Sequence, residues 1–161
     1  MTLSEPLIAE LNHEANSTKK MLERLPKDSL MWRPHERSRS VGEIASHIAN
    51  IPSLFIASVK PDEYNRESFV PATKDNVLEI ISAFDKNVLA AIETLRDLSD
   101  EQLLRPWRYR YGEQIIFEMP KLAVIRAMGI NHLIHHRGQL SVYLRLLNVP
   151  LPPIYGQTAD E

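Results

Sequence analysis

The chain has 161 residues, 43% hydrophobic and 25% charged, with a formal net charge of −2 and no cysteine. That length and balance suit a single domain over residues 1–161 built around one core. The missing cysteines exclude thiol nucleophiles, thiolate metal sites and disulfides and fit a cytoplasmic location, and the slightly acidic balance gives no reason to expect a nucleic-acid partner.

The first twenty residues, "MTLSEPLIAELNHEANSTKK", carry acidic residues early and no unbroken apolar run, so they read as neither a signal peptide nor a membrane span. Their spacing predicts a helix from about Ser4 to Leu25, with Ser4 as N-cap and Pro6 in the first turn. Ile8, Leu11, Ala15, Thr18, Leu22 and Leu25 form its buried face. A second helix opens at Ser40, where "SVGE" is a capping box, and ends near Val59. Ile44, Ile48, Ile51 and Phe55 make its apolar stripe, His47 lies on that stripe, and Pro52 kinks it or marks its last turns. The segment from Pro61 to Ala72 reads as a polar loop.

A third helix opens at Thr73 and ends near Leu98, with Val77, Ile81, Phe84, Val88, Ile92 and Leu95 on one face, and Ser99 caps a short helix after it. In "RPWRYRYGEQIIFEMP", Trp107, Tyr109 and Tyr111 alternate with Arg108 and Arg110 ahead of Gly112, which predicts a small hairpin. Arginines among aromatics also resemble a single-strand nucleic-acid platform, but one short segment in an acidic chain favours a hairpin covering the helices. A fourth helix runs from Pro120 to Leu147 and is stopped by Asn148 and Pro150. The tail is irregular and docks through Ile154 and Tyr155. Four amphipathic helices of this length predict an all-α four-helix bundle with long connections and a small hairpin between helices three and four.

Three of the six histidines fall in "HLIHHRGQL", on the fourth helix. His132 and His136 are separated by one turn and about 40° around the helix, so both rings can reach one ion. His132 with His135 is also feasible by geometry, and spacing prefers His136 only modestly. His47 is a histidine where burial is expected; alone it reads as a satisfied core residue. Histidines from two helices facing one core can share a cation, and three imidazoles leave coordination positions open, as in catalytic sites. Imidazole ligation suits zinc, nickel, copper or iron. His13 and His35 read as solvated, and His135 as a rim residue. Arg137, just behind the pair, is suited to an ion pair, a dimer contact or an anionic substrate. HExxH, paired Glu-x-x-His, P-loop, dinucleotide-binding and GxSxG patterns are all missing.

Two stretches, "MWRPHERSRSVGEIASHIANI" and "INHLIHHRGQLSVYLRLLNVPLPPIYGQTADE", give the chain a family likeness. It resembles the DinB/YfiT-like family of metal-dependent enzymes. The resemblance implies a four-helix bundle, often a homodimer, with one divalent ion, zinc or nickel before iron, held by His47, His132 and His136. Some relatives use small cellular thiols as co-substrates. The expected function is therefore a metalloenzyme that activates water or a low-molecular-weight thiol for a small-molecule substrate, of hydrolase or S-transferase type. The alternative is a metal-stabilised binding or stress-response bundle without turnover. No catalytic residue beyond the ligands, and no nucleic-acid or membrane partner, is assigned.

Overall fold

The structure, a computed structural model, describes residues 2–68 and 73–161. Local chemistry sets where three of the six α-helices among the described residues begin. α1 (Ser4–Leu22) differs from expectation. Ser4 is its first helical residue, Leu3 holds the cap position, and the Leu3 N–H donates to Asp100 Oδ1 at 2.8 Å. α2 (Val41–Phe55) opens on the capping box: the Glu43 N–H donates to Ser40 Oγ, and the Ser40 N–H donates to the Glu43 carboxylate. It stops at Phe55, sooner than its apolar spacing suggests. Pro52 lies in its last turn and offers no N–H to the ladder. α3 (Val77–Asp97) starts later than predicted because Asn76, not Thr73, caps it, its Oδ1 accepting from the N–H groups of Leu78 and Glu79. A second capping box, Ser99 with Gln102, opens α4 (Asp100–Leu104).

The last helical segment is not continuous α-helix. α5 (Lys121–Val124) leads into a π-helical turn, Ile125–Ile130, and then into α6 (Asn131–Leu146). Gly129 lets that turn close onto the end of α2: a Cβ there would lie 2.7 Å from Ile56 Cγ1. Asn148, at φ 57°, takes the left-handed conformation past the helix end.

α2 packs on α3 and α6, and α1 packs on the same two. The enclosed core includes Leu11, Leu22, Ile44, Ile48, Ile80, Leu95 and Leu140. No helix among the described residues is long and apolar enough to cross a membrane.

The chain is mostly helical but not all-α. β1 (Glu63–Asn65), β2 (Pro106–Tyr111) and β3 (Gln114–Pro120) form a sheet in that order, with β1 parallel to β2 and β2 antiparallel to β3. The hairpin is the expected one. Gly112, at φ 55°, begins the two-residue turn between the paired Tyr111 and Gln114. β1 comes from the segment expected to be a loop, whose residues 69–72 lie outside the described residues. Trp107 is fully buried, and Tyr109 stacks on Phe117 at 5.1 Å and reaches Phe55 at 6.1 Å. Arg108 pairs with Glu118 and Arg110 with Glu63. The arginine–aromatic alternation thus resolves into an ion-paired side and an aromatic side, and Trp107 offers no face to a base. The buried Lys121 ammonium donates to the Lys60 carbonyl and pairs with Asp62, each at 2.9 Å, which ties the end of β3 to the approach to β1.

The core-facing row of α6 is Leu133, Arg137, Leu140 and Leu144. Arg137, 3% exposed, meets the Glu14 carboxylate at 2.7 Å and donates to the Tyr155 hydroxyl at 2.7 Å. The hydroxyl in turn donates to Glu14 at 2.8 Å. This network docks the tail, assisted by Ile154 on the core and by Asp160, which pairs with Arg145. Of the roles the sequence leaves open for Arg137, the structure displays the ion pair. Arg137→Met leaves a buried carboxylate without its counter-charge and is expected to cost about 3–5 kcal/mol in urea unfolding. A Glu14→Leu/Arg137→Met double variant should recover much of that loss, because it removes both buried charges together.

Candidate metal centre

α2 carries two parallel rows. Ile44, Ile48, Ile51 and Phe55 face the core. Beside them Glu43, His47, Asn50 and Leu54 face a cavity of about 410 Å³. His47 therefore stands one step off the apolar stripe on which its spacing places it, and it is half-buried. His132 and His136 stand in the same way beside the core row of α6, both half-buried, just after the π-helical turn. Packing of α2 on α6 brings the three rings together. His132 Nε2 lies 2.8 Å from His136 Nε2 and 3.4 Å from His47 Nε2, and one nitrogen from each residue falls within 4.8 Å of the others.

These spacings suit a shared ion. Two nitrogens bound at about 2.0–2.1 Å and at angles of about 90–110° lie about 2.9–3.4 Å apart. The surroundings also favour bare inward nitrogens. In the orientation assigned to its amide, Gln139 places Oε1 2.7 Å from His136 Nδ1 and donates through Nε2 to His135 Nε2 at 3.0 Å. An amide oxygen only accepts, so His136 carries its proton on Nδ1 and turns a lone pair toward His132. Burial, with the positive Arg39 next in effect, pushes the His47 pKa down to about 3. Burial likewise lowers His136 to about 4, against a pull upward from Gln139, and lowers His132. Rings held neutral are rings ready to bind a cation. The His132 Nδ1 is buried and makes no hydrogen bond of good geometry; the Met128 carbonyl, one turn earlier, is the acceptor that acts on it.

The other histidines stay outside. His135 is exposed at the rim, its ring 4.9 Å from that of His136. His13 is exposed and stacks on Tyr155, and His35 is exposed and accepts from the Arg37 N–H. Sequence reasoning missed Gln139 as the residue that orients His136, and it missed Arg39, Arg66 and Tyr109 on the cavity wall. Gln139 had a legible signal, since three residues along a helix puts it beside His136. Arg39, Arg66 and Tyr109 come from elements whose approach only the tertiary structure sets.

A family model described as the DinB family matches residues 2–161. The chain belongs to the DinB family. Among curated relatives, the uncharacterized protein YjoA of Bacillus subtilis strain 168 is 27% identical over 165 residues, covering 98% of this chain and 99% of that one. The solved structure of the DinB-like YjoA from Bacillus subtilis superposes with a TM-score of 0.75 at 22% identity, over 96% of this chain and 100% of that one. A DinB-like protein from Bacillus cereus gives 0.74 at 24% identity, over 94% and 97% of the two chains. A DinB-family structure from Exiguobacterium sibiricum gives 0.67 at 19% identity, over 99% and 97%. These likenesses carry the DinB fold, and the three-histidine cluster in this member of the family is compatible with metal binding.

The depressed histidine pKa values make the metal-free fold acid-sensitive. Free imidazoles titrate near 6.5, and His47 and His136 near 3 and 4 in the fold, so the unfolded chain binds more protons between those values. The stabilising contribution is complete above about pH 6.5 and is lost as pH falls toward about 4 for His136 and about 3 for His47. Urea unfolding of chelator-treated protein across that window should show a shallower pH slope for His47→Gln than for wild type. Gln139→Leu frees the His136 tautomer and should weaken zinc binding by about 10–100-fold in competition with a chromophoric chelator.

Proposed function

We propose that residues 1–161 form one DinB-type helical-bundle domain in which His47, His132 and His136 hold one divalent ion, zinc or nickel before iron. We further propose that this DinB protein is a metalloenzyme acting on a small molecule. The observation that carries the reading is the convergence of three imidazole nitrogens at one wall of an open cavity, with no carboxylate in the cluster. When bound, a divalent ion supplies electrophilic activation that lowers the pKa of a water or a small thiol, which suits hydrolysis or S-transfer. The chain's own contribution is positional. Burial keeps the rings neutral, Gln139 fixes the direction of His136, and Leu54 and Phe55 give the cavity an apolar side. A homodimer in the cytoplasm completes the reading. The absence of cysteine supports the compartment, and Val142 and Leu146, exposed on the outer face of α6, support a covered surface.

A second reading rests on a different aspect of the same geometry. The cluster joins α2 to α6, so an ion there would cross-link two helices and could serve as a structural or sensing element without turnover. Elemental analysis of untagged protein should find about one divalent ion per chain. His47→Ala, His132→Ala and His136→Ala should each lose it, whereas His135→Ala should retain it. Stoichiometric metal in all three alanine variants would refute the ligand set. Turnover of ester or thiol-plus-electrophile substrates that stops on chelation supports the enzyme; a large drop in melting temperature on chelation, with no turnover, supports the second reading.

A further inference from the structure

Most arginines of this DinB protein end on a carboxylate. Arg24, Arg105, Arg108, Arg110, Arg126 and Arg145 each make an ion pair at 3.1 Å or less. Arg37, Arg39, Arg66 and Arg96 make no such pair among the described residues, and of these four Arg39 and Arg66 stand at the cavity. Neither makes an ion pair or hydrogen bond among the described residues, yet both line the cavity over the histidines. They reach it from separate elements: Arg39 from the residue before the Ser40 cap of α2, and Arg66 from the 3-10 turn that follows β1. The one carboxylate on the wall among the described residues, Glu43, is already engaged. It accepts from the Ser40 N–H at 2.6 Å and lies 3.5 Å from Arg33. Both arginines are exposed, and Arg39 acts on the Glu43 carboxylate only through space; two guanidiniums that line one cavity with no carboxylate bound directly to them among the described residues form a receptor for an oxyanion, since the planar fork matches a carboxylate. Leu54 and Phe55 supply an apolar surface beside it. A ligand that satisfies both features has an acid group and a short hydrocarbon or aromatic body.

We propose that the cavity binds a small organic acid whose carboxylate is held by Arg39 and Arg66 while its body lies along Leu54 and Phe55 toward the histidines. This deepens the reading of the cavity as a reaction site, and it rests on that reading for its meaning. It does not depend on the metal for its test.

The test is binding of phenylacetate and hexanoate, each against its neutral amide, by calorimetry or chemical-shift titration. The protein is wild type, Arg39→Gln, Arg66→Gln and, as a control, Arg96→Gln on α3; metal content is measured in every sample. Wild type and the control should prefer each acid over its amide by at least about tenfold, as expected for hydrogen bonds to a charged partner. Arg39→Gln and Arg66→Gln should each lose most of that preference with metal content unchanged. An acid preference that survives both substitutions overturns the proposal, because the anion then sits on the ion or elsewhere. So does the absence of any acid preference, or of any binding at tens of millimolar. An arginine-dependent acid preference in protein that holds no metal sustains this proposal while removing the metal reading.

Discussion

Imidazole lone pairs turned toward one another repel unless a proton or a cation lies between them. In this DinB protein His132 Nε2 lies within 3.4 Å of the corresponding nitrogens of both His47 and His136. Much of the local structure serves that arrangement. The rings are half-buried, which disfavours their charged forms, and Gln139 commits the outer nitrogen of His136 to a hydrogen bond. A site built this way is poorly satisfied by protons and well suited to a metal cation.

The scaffold holds the cluster by ordinary packing. α2 and α6 each divide their surface into a core row and a neighbouring cavity row, about a third of a turn or less apart. The core rows fix the approach of the two helices, and the cavity rows then meet. Gly129 allows the π-helical turn to close against Ile56, just before the first of the two cluster histidines on that segment. π-turns of this kind are frequent at functional sites because they re-aim the side chains that follow. On the core-facing row of α6, the buried Arg137–Glu14 pair and the exposed Tyr155 that bonds to both anchor the helix and the tail together.

The sheet has a distinct role. Its aromatic side packs toward the end of α2, where Tyr109 approaches Phe55 and joins the cavity wall. β1 delivers Arg66 to the same cavity through the turn that follows it. The site is therefore assembled from both ends of the chain and from the middle. Its chemistry divides accordingly: neutral nitrogen donors, an apolar side and positive charge each hold part of the wall.

The sequence by itself determined the features that depend on near neighbours. Ser40 with Glu43 and Ser99 with Gln102 marked their helix starts, Gly112 marked the hairpin, and the one-turn spacing of His132 and His136 put both rings on one face. These are legible because they are set within one or two turns of chain. The Ser4 cap and the Thr73 helix start were misplaced because other groups competed: Leu3 is held by Asp100 from far along the chain, and Asn76 offers an acceptor close by. Only the tertiary structure decided the rest. Arg137 is left by the sequence between an ion pair, a dimer contact and an anionic substrate, and proves to be core because Glu14, on another helix, neutralises it. β1 is too short to announce itself and exists because β2 offers it hydrogen bonds. The meeting of His47 with His132 and His136 belongs to the same class. It joins residues distant along the chain, and the angle and register at which α2 packs on α6 depend on the whole core.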